Sequence, residues 1–177
     1  RIGEPLFCQS EKSLRYTRKS RKNKIRSYQQ SWKRVPTYKE DEEMKLIIGG
    51  RTQGKLNYVL QHMPDENYQI YDGVFPDEGE LFNLTRKNEW LIVNHFHKWV
   101  NKELKENRNP EEKLKAFLER ATDINCVIIS DEIGNGIVPV DAFERDYRER
   151  TGRMLITLAS QADEVVRVLC GIGQKIK

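Results

Sequence analysis

The chain has 177 residues, of which 37% are hydrophobic and 33% charged, with a formal net charge of +4. That length fits one domain, and the composition supplies one core if part of the chain stays outside it. No apolar run approaches the ~20 residues needed to cross a bilayer, and the basic start lacks the apolar stretch of a secretory signal, so a cytoplasmic protein without membrane contact is expected.

The charge is unevenly spread. Residues 1–43 carry 12 Lys and Arg against 6 Asp and Glu, and the remainder carries 19 against 21. The excess of positive charge therefore belongs to the leading segment and implies no basic face on the domain. Between Lys12 and Lys39 the chain lacks any helical or alternating apolar period, and such a stretch buries too little surface to offset its ordering entropy. Tyr16, Tyr28 and Trp32 among the bases would suit a nucleic-acid arm, but an unstructured extension explains the same pattern and is the expected reading. Met44 also invites reading residues 1–43 as an upstream extension absent from the working protein. Cys8, Cys126 and Cys170 form no CxxC pair. Cys126 and Cys170 lie in apolar runs and read as buried free thiols in a reducing compartment.

From Met44 the pattern changes. Lys45-Leu46-Ile47-Ile48 is a short apolar run closed by Gly49-Gly50, which reads as a buried strand entering a turn. Residues 54–63 read as a helix ended by Pro64, and residues 68–71 as a second short strand. Residues 72–88 give no clear period. Trp90 to Phe96 reads as a strand, followed by helices over 98–106 and 110–121, with Pro110 suited to a helix start. Cys126 to Ile129 is a further buried strand. Residues 139–162 read as helical with a break near Thr151-Gly152, and Val165 to Leu169 as the next strand. Unalternating strands separated by helices predict an α/β fold of the P-loop type, a mostly parallel sheet with helices on both faces. Ligands of such sheets lie beyond the carboxyl ends of the strands, which selects the loops 49–55, 94–97 and 130–138.

The first loop carries the strongest motif. Gly49-Gly50-Arg51-Thr52-Gln53-Gly54-Lys55 fits G-x-x-x-x-G-K between a predicted strand and a predicted helix. Glycines let backbone N–H groups wrap a phosphate, the helix N-terminus adds positive potential, and Lys55 reaches the β- and γ-phosphates. The competing reading is a glycine-rich turn with a surface lysine, and the register of strand, loop, lysine and helix favours the phosphate site. Leu56 stands where the motif has a magnesium-binding Ser or Thr.

In the third loop, Asp131 and Glu132 leave a strand end, followed by Gly134 and Gly136. One of the two is expected to hold Mg²⁺ on the phosphates of ATP or GTP, with helix or turn capping by Asp131 as the alternative. In the second, Asn94-His95-Phe96-His97 would place both imidazoles on one side of a continuing strand, as a nucleophile or phosphate contact, or else as caps of the next helix.

The stretch from Glu132 to Pro139 resembles the N-E-V-G-x-G-I-V-P segment of the adenosylcobinamide kinase/adenosylcobinamide-phosphate guanylyltransferase family. Phe143, Arg145, Tyr147-Arg148 and Gly152-Arg153 follow in that family's helix pattern. Ala162-Asp163-Glu164-Val165 and the run from Gly171 to Lys177 resemble its closing strand and end. The resemblance implies a cytoplasmic homo-oligomeric enzyme with one P-loop. Such enzymes phosphorylate the aminopropanol hydroxyl of adenosylcobinamide with a nucleoside triphosphate and then transfer GMP to that phosphate through a histidine. The family places that histidine on a helix between the P-loop and the next long strand. This chain has no matching helix there, so the resemblance leaves His95 and His97 as the candidates, with Asn94 where the family strand ends in Glu. A non-catalytic relative that binds nucleotide or corrinoid is the alternative, and nucleic acid is not an expected partner.

Overall fold

The computed structural model describes residues 43–177 apart from 64–66, 88 and 122–123, with the backbone alone for 85–87. The tail read over residues 1–43, including Tyr16, Tyr28, Trp32 and Cys8, lies outside the described residues save for Glu43, as does Pro64. The elements run β1 Met44–Gly49, α1 Lys55–His62, β2 Tyr68–Asp72, α2 Glu78–Lys87, β3 Trp90–Asn94 and α3 Phe96–Lys105. They continue with α4 Pro110–Arg120, β4 Cys126–Asp131, α5 Ala142–Gln161, β5 Glu164–Leu169 and β6 Ile172–Lys175.

One six-stranded sheet takes the order β2-β3-β4-β1-β5-β6. All pairings are parallel except β5 with β6, which is antiparallel. The expected α/β sheet is therefore present, with one reversed edge strand. That reversal follows from Cys170 and Gly171, whose φ values of 50° and 80° make a two-residue turn with both central residues left-handed, the geometry that closes a tight hairpin. Cys170 sits at this turn and is exposed, against the expectation of a buried thiol, whereas Cys126 is fully buried and its thiol is pushed up to about 12 by desolvation.

The central strands β1, β3 and β4 bury both faces, which is why their sequences do not alternate in polarity. Leu46, Leu91, Val93, Ile128 and Val165 face one core, completed by Leu84 of α2, Phe96, Trp99 and Val100 of α3, Phe117 of α4, and Met154 and Leu158 of α5. Ile47, Ile92, Val127, Ile129, Val166 and Val168 face the other, covered by Leu56, Val59 and Leu60 of α1. Burying a side chain of this size stabilises the fold by roughly 1.5–3 kcal/mol.

Helices α2 and α5 and the end of β3 also differ from expectation. Helix α2 occupies the unreadable stretch, opened by a reciprocal cap in which Glu80 N–H donates to Asp77 Oδ1 at 2.8 Å and Asp77 N–H to Glu80 Oε2 at 3.0 Å. Helix α5 starts at Ala142 rather than 139, after Asp141 accepts from Glu144 N–H, and it runs unbroken through Thr151-Gly152. A glycine costs a helix only about 1 kcal/mol, and Tyr147, Thr151, Met154 and Leu158 bury one continuous stripe across it. Strand β3 ends at Asn94, two residues short of Phe96, because His95 takes left-handed φ and ψ of 53° and 46° and starts α3.

Candidate active site at the carboxyl edge of the sheet

Strand β1 delivers the loop 49–55 to the sheet edge. Gly49 crosses directly over β5, where a Cβ would overlap the Val168 carbonyl oxygen, so only glycine fits. Gly54 has φ 78° and ends the loop at the first residue of α1. Lys55 is 7% exposed, and its Nζ donates to Gly50 O at 2.7 Å and Gly49 O at 3.4 Å. The lysine is thus folded back over its own loop.

The hairpin between β5 and β6 braces this loop from outside. Gln53 Oε1 accepts from Cys170 N–H at 2.6 Å, and Gln53 O accepts from Gly171 N–H at 2.9 Å. Gln53 therefore holds the loop in shape. Thr52, with φ 56°, donates its hydroxyl to Arg51 O at 2.8 Å. Leu56 packs into the α1 core.

Strand β4 ends beside Lys55. Asp131 Oδ1 lies 2.6 Å from Lys55 Nζ, and Asp131 Oδ2 lies 3.6 Å from His97 Nε2. Glu132 turns away: its carboxylate pairs with Arg167 of β5 at 2.9 Å and accepts from Asn135 at 3.4 Å. The adjacent carboxylates thus have different partners, and Asp131 is the one joined to the loop lysine.

The two histidines do not share a strand face. His97 lies in the first turn of α3, where Asp131 N–H donates to its Nδ1 at 3.1 Å, which makes Nδ1 an acceptor and leaves the proton on Nε2. Burial lowers its pKa to about 4 against the opposing pull of Asp131, so the ring is neutral near pH 7. Its backbone carbonyl accepts from the Tyr147 hydroxyl of α5 at 2.9 Å.

His95 reaches the other way, to β2. Its Nδ1 meets Asp72 Oδ1, the residue paired with Asn94 across the two strand ends. Asn94, only 6% exposed, also donates to Asp72 Oδ1, at 3.1 Å. Asn94 Nδ2 also lies 3.1 Å from His95 Nδ1, but a carboxylate only accepts, so the Asp72 contact puts the proton on Nδ1, the Asn94 amide donates to Asp72, and the lone pair of a neutral ring falls on Nε2. The His95 and His97 rings meet edge-on at 5.7 Å between centroids.

These residues surround a cavity of about 680 Å³ lined by Arg51–Lys55, Leu56, Asn94, His95, His97, Asp131 and Glu132. The sequence reading does not single out as site residues two that line it, Lys98 and Arg148, nor Asp72, which contacts His95 from outside the lining. Asp72 escapes because the sequence pattern ends the second strand at 71, whereas β2 runs one residue further and brings Asp72 under the strand-end rule. Lys98 escapes because the sequence pattern sets the strand-to-helix boundary two residues later than the structure does. Arg148 enters through α5, where it donates to Ile137 O at 3.0 Å while Arg145 donates to Pro139 O at 3.0 Å and Val140 O at 2.5 Å. The helix residues that carried the resemblance thus hold the loop after β4.

The cobinamide kinase / cobinamide phosphate guanyltransferase family matches residues 61–176. A bifunctional adenosylcobalamin biosynthesis protein CobU of Escherichia coli strain K12 is 36% identical over 146 residues, 77% of this chain and 80% of that protein. Its counterpart from Salmonella typhimurium strain LT2 is 37% identical over 83 residues, 39% of this chain, so the match spans 46%, about half, of that relative's length. A solved structure from Pyrococcus horikoshii overlays 78% of this chain and 74% of its own at 12% identity and a TM-score of 0.35, too loose a likeness to assign anything. With the family match covering most of the chain and the E. coli alignment four fifths of that relative, this chain belongs to the cobinamide kinase / cobinamide phosphate guanyltransferase family.

Proposed function

We propose that this chain is a cytoplasmic enzyme of adenosylcobalamin biosynthesis. It phosphorylates adenosylcobinamide with ATP or GTP and transfers GMP to the phosphorylated product, acting as a homo-oligomer. The observation that carries the reading is the Lys55–Asp131 pair at 2.6 Å, set across a glycine loop at the carboxyl edge of the sheet in a chain of this family. The loop N–H groups and the α1 N-terminus bind the triphosphate, and Lys55 leaves its loop carbonyls to neutralise the β- and γ-oxygens. Arg51 at the cavity rim adds a second cation.

Magnesium needs one or two carboxylates besides phosphate oxygens and water. Asp131, at the cavity and 14% exposed, fits that need. Glu132, held by Arg167, is the weaker donor. When bound, the ion spreads the charge that develops on the transferring phosphoryl group.

The test is incubation with adenosylcobinamide, Mg²⁺ and γ-labelled triphosphate. Label in the corrinoid establishes the kinase half, and an α-labelled GTP tests GMP transfer. Leu56 and Asn94 favour the second reading, a relative that binds nucleotide or corrinoid without turnover. Tight binding with no labelled product would support it.

A further inference from the structure

We infer that Asp72 and His95 form a dyad that removes the proton from the acceptor hydroxyl as that hydroxyl attacks the γ-phosphate. The inference rests on the kinase reading above and assigns a role that neither the glycine loop nor Asp131 fills.

The cavity edge carries a continuous line of contacts. Lys55 Nζ meets Asp131 at 2.6 Å, Asp131 lies 3.6 Å from His97 Nε2, the His97 ring meets the His95 ring at 5.7 Å, and His95 Nδ1 meets Asp72. In sheet order this line runs from β1 across β4 and β3 to β2. A triphosphate on the glycine loop is oriented by the same geometry. Its α- and β-phosphates sit on the loop N–H groups and the lysine reaches the β- and γ-phosphates. Lys55 points toward Asp131, so the γ-phosphate lies on the β4 side and His95 lies beyond it, just past the end of β3, the strand next to β4 in the sheet. That is the place of an acceptor approaching the γ-phosphate in line. A histidine that attacked the α-phosphate would have to stand at the loop and the start of α1.

Of the two imidazoles only His95 has a nitrogen to offer. His97 spends Nδ1 on the Asp131 N–H, is 7% exposed, and carries its proton on Nε2. His95 donates its Nδ1–H to Asp72 in a hydrogen bond and keeps the Nε2 lone pair, with a side chain one-third exposed at the cavity. Asp72 is fixed in turn by Asn94, which donates to it at 3.1 Å from its register partner position. The left-handed backbone of His95 is the local distortion that turns its ring from the strand direction toward Asp72. A non-glycine residue holds that conformation at a cost, and such residues gather at functional sites.

In the step, the acceptor O–H proton passes to His95 Nε2 and the oxygen forms a bond to the γ-phosphorus. The bond from that phosphorus to the β-bridging oxygen breaks, and the nucleoside diphosphate leaves with its electron pair. His95 is the catalytic base. Asp72 is a positioning residue, holding the tautomer and the ring while remaining ionised.

The experiment uses the full chain, adenosylcobinamide and γ-labelled triphosphate, with His95→Gln, Asp72→Asn and the double variant. His95→Gln is expected to lower kcat about 10²–10⁴-fold, the usual contribution of a general base, with triphosphate KM within about twofold of the parent. Asp72→Asn is expected to lower kcat at least about tenfold with the same unchanged KM. The double variant should be no slower than His95→Gln, because Asp72 acts only through that ring. A parent that yields no labelled corrinoid overturns the kinase reading and the dyad with it. An active parent whose kcat survives His95→Gln, or a double variant whose losses multiply, overturns the dyad alone. So does α-phosphate label recovered on His95, which would make it a nucleophile.

Discussion

Asp131 meets Lys55 at 2.6 Å at the one place where β4 runs out beside the first turn of α1, and both side chains are largely buried there. A lysine bound this way is pre-placed for a polyphosphate but not free. It must exchange Asp131 and two loop carbonyls for phosphate oxygens, so the net gain on binding is smaller than the bare contact would give.

Lys55→Ala is expected to weaken triphosphate binding by roughly 1.5–3 kcal/mol, a loss of about 10- to 150-fold, measured by calorimetric titration. The substitution also strands Asp131, so its melting temperature should fall. Adding Asp131→Asn should restore stability without restoring affinity. Parental affinity in Lys55→Ala would remove the loop from the site.

The carboxylates at the end of β4 should separate. Asp131→Asn is expected to raise the Mg²⁺ needed for half-maximal turnover at least several-fold, since its oxygens face the loop lysine. Glu132→Gln should leave that requirement near the parent's, because Glu132 pairs with Arg167. Equal responses in a magnesium titration would place the ion on neither residue alone.

The sequence shows the sheet well because β1, β3 and β4 are largely apolar on both faces, a pattern few other structures tolerate. It shows the glycine loop for the same local reason. What stayed illegible was set by contacts distant in sequence. The Asp72–His95 pair spans 23 residues and the Asp131–His97 contact 34. Helix α2 has a sparse apolar face, Leu81 and Leu84, that only the neighbouring core makes sufficient. The end of β3 at Asn94 depends on a left-handed histidine, a conformation no periodicity reports.

A chain beginning at Glu43 should fold and act like the longer one. Glu43 N–H donates to Asn125 Oδ1 at 2.8 Å, its carbonyl accepts from Cys126 N–H at 2.9 Å, and every strand partner of β1 lies downstream. Circular dichroism, melting and turnover should match those of the full chain. A lower melting temperature or kcat on truncation would show that residues 1–42 pack on the domain or its site.

The buried imidazole of His97 predicts a specific acid sensitivity. Its pKa falls to about 4 in the folded chain, chiefly through desolvation, against an ordinary value of 6.5. Between those values the unfolded chain binds a proton that the folded chain refuses, so the unfolded state gains as pH drops. The contribution is complete above about pH 6.5, declines as pH falls toward 4, and is constant below that. Its full size is on the order of 1–3 kcal/mol. Glu103 and Glu111, held below the usual carboxylate range by hydrogen bonds from Arg108 and from Arg150, add their own acid losses. Those losses are common to a His97→Asn variant, whose side-chain oxygen can still accept from the Asp131 N–H and does not titrate. Urea unfolding of both proteins at pH 7 and pH 4.5 should therefore show the parent losing more stability than the variant. Equal losses would mean that His97 accepts its proton in the folded chain as readily as in water, and that the ring is not sealed between α3 and the end of β4.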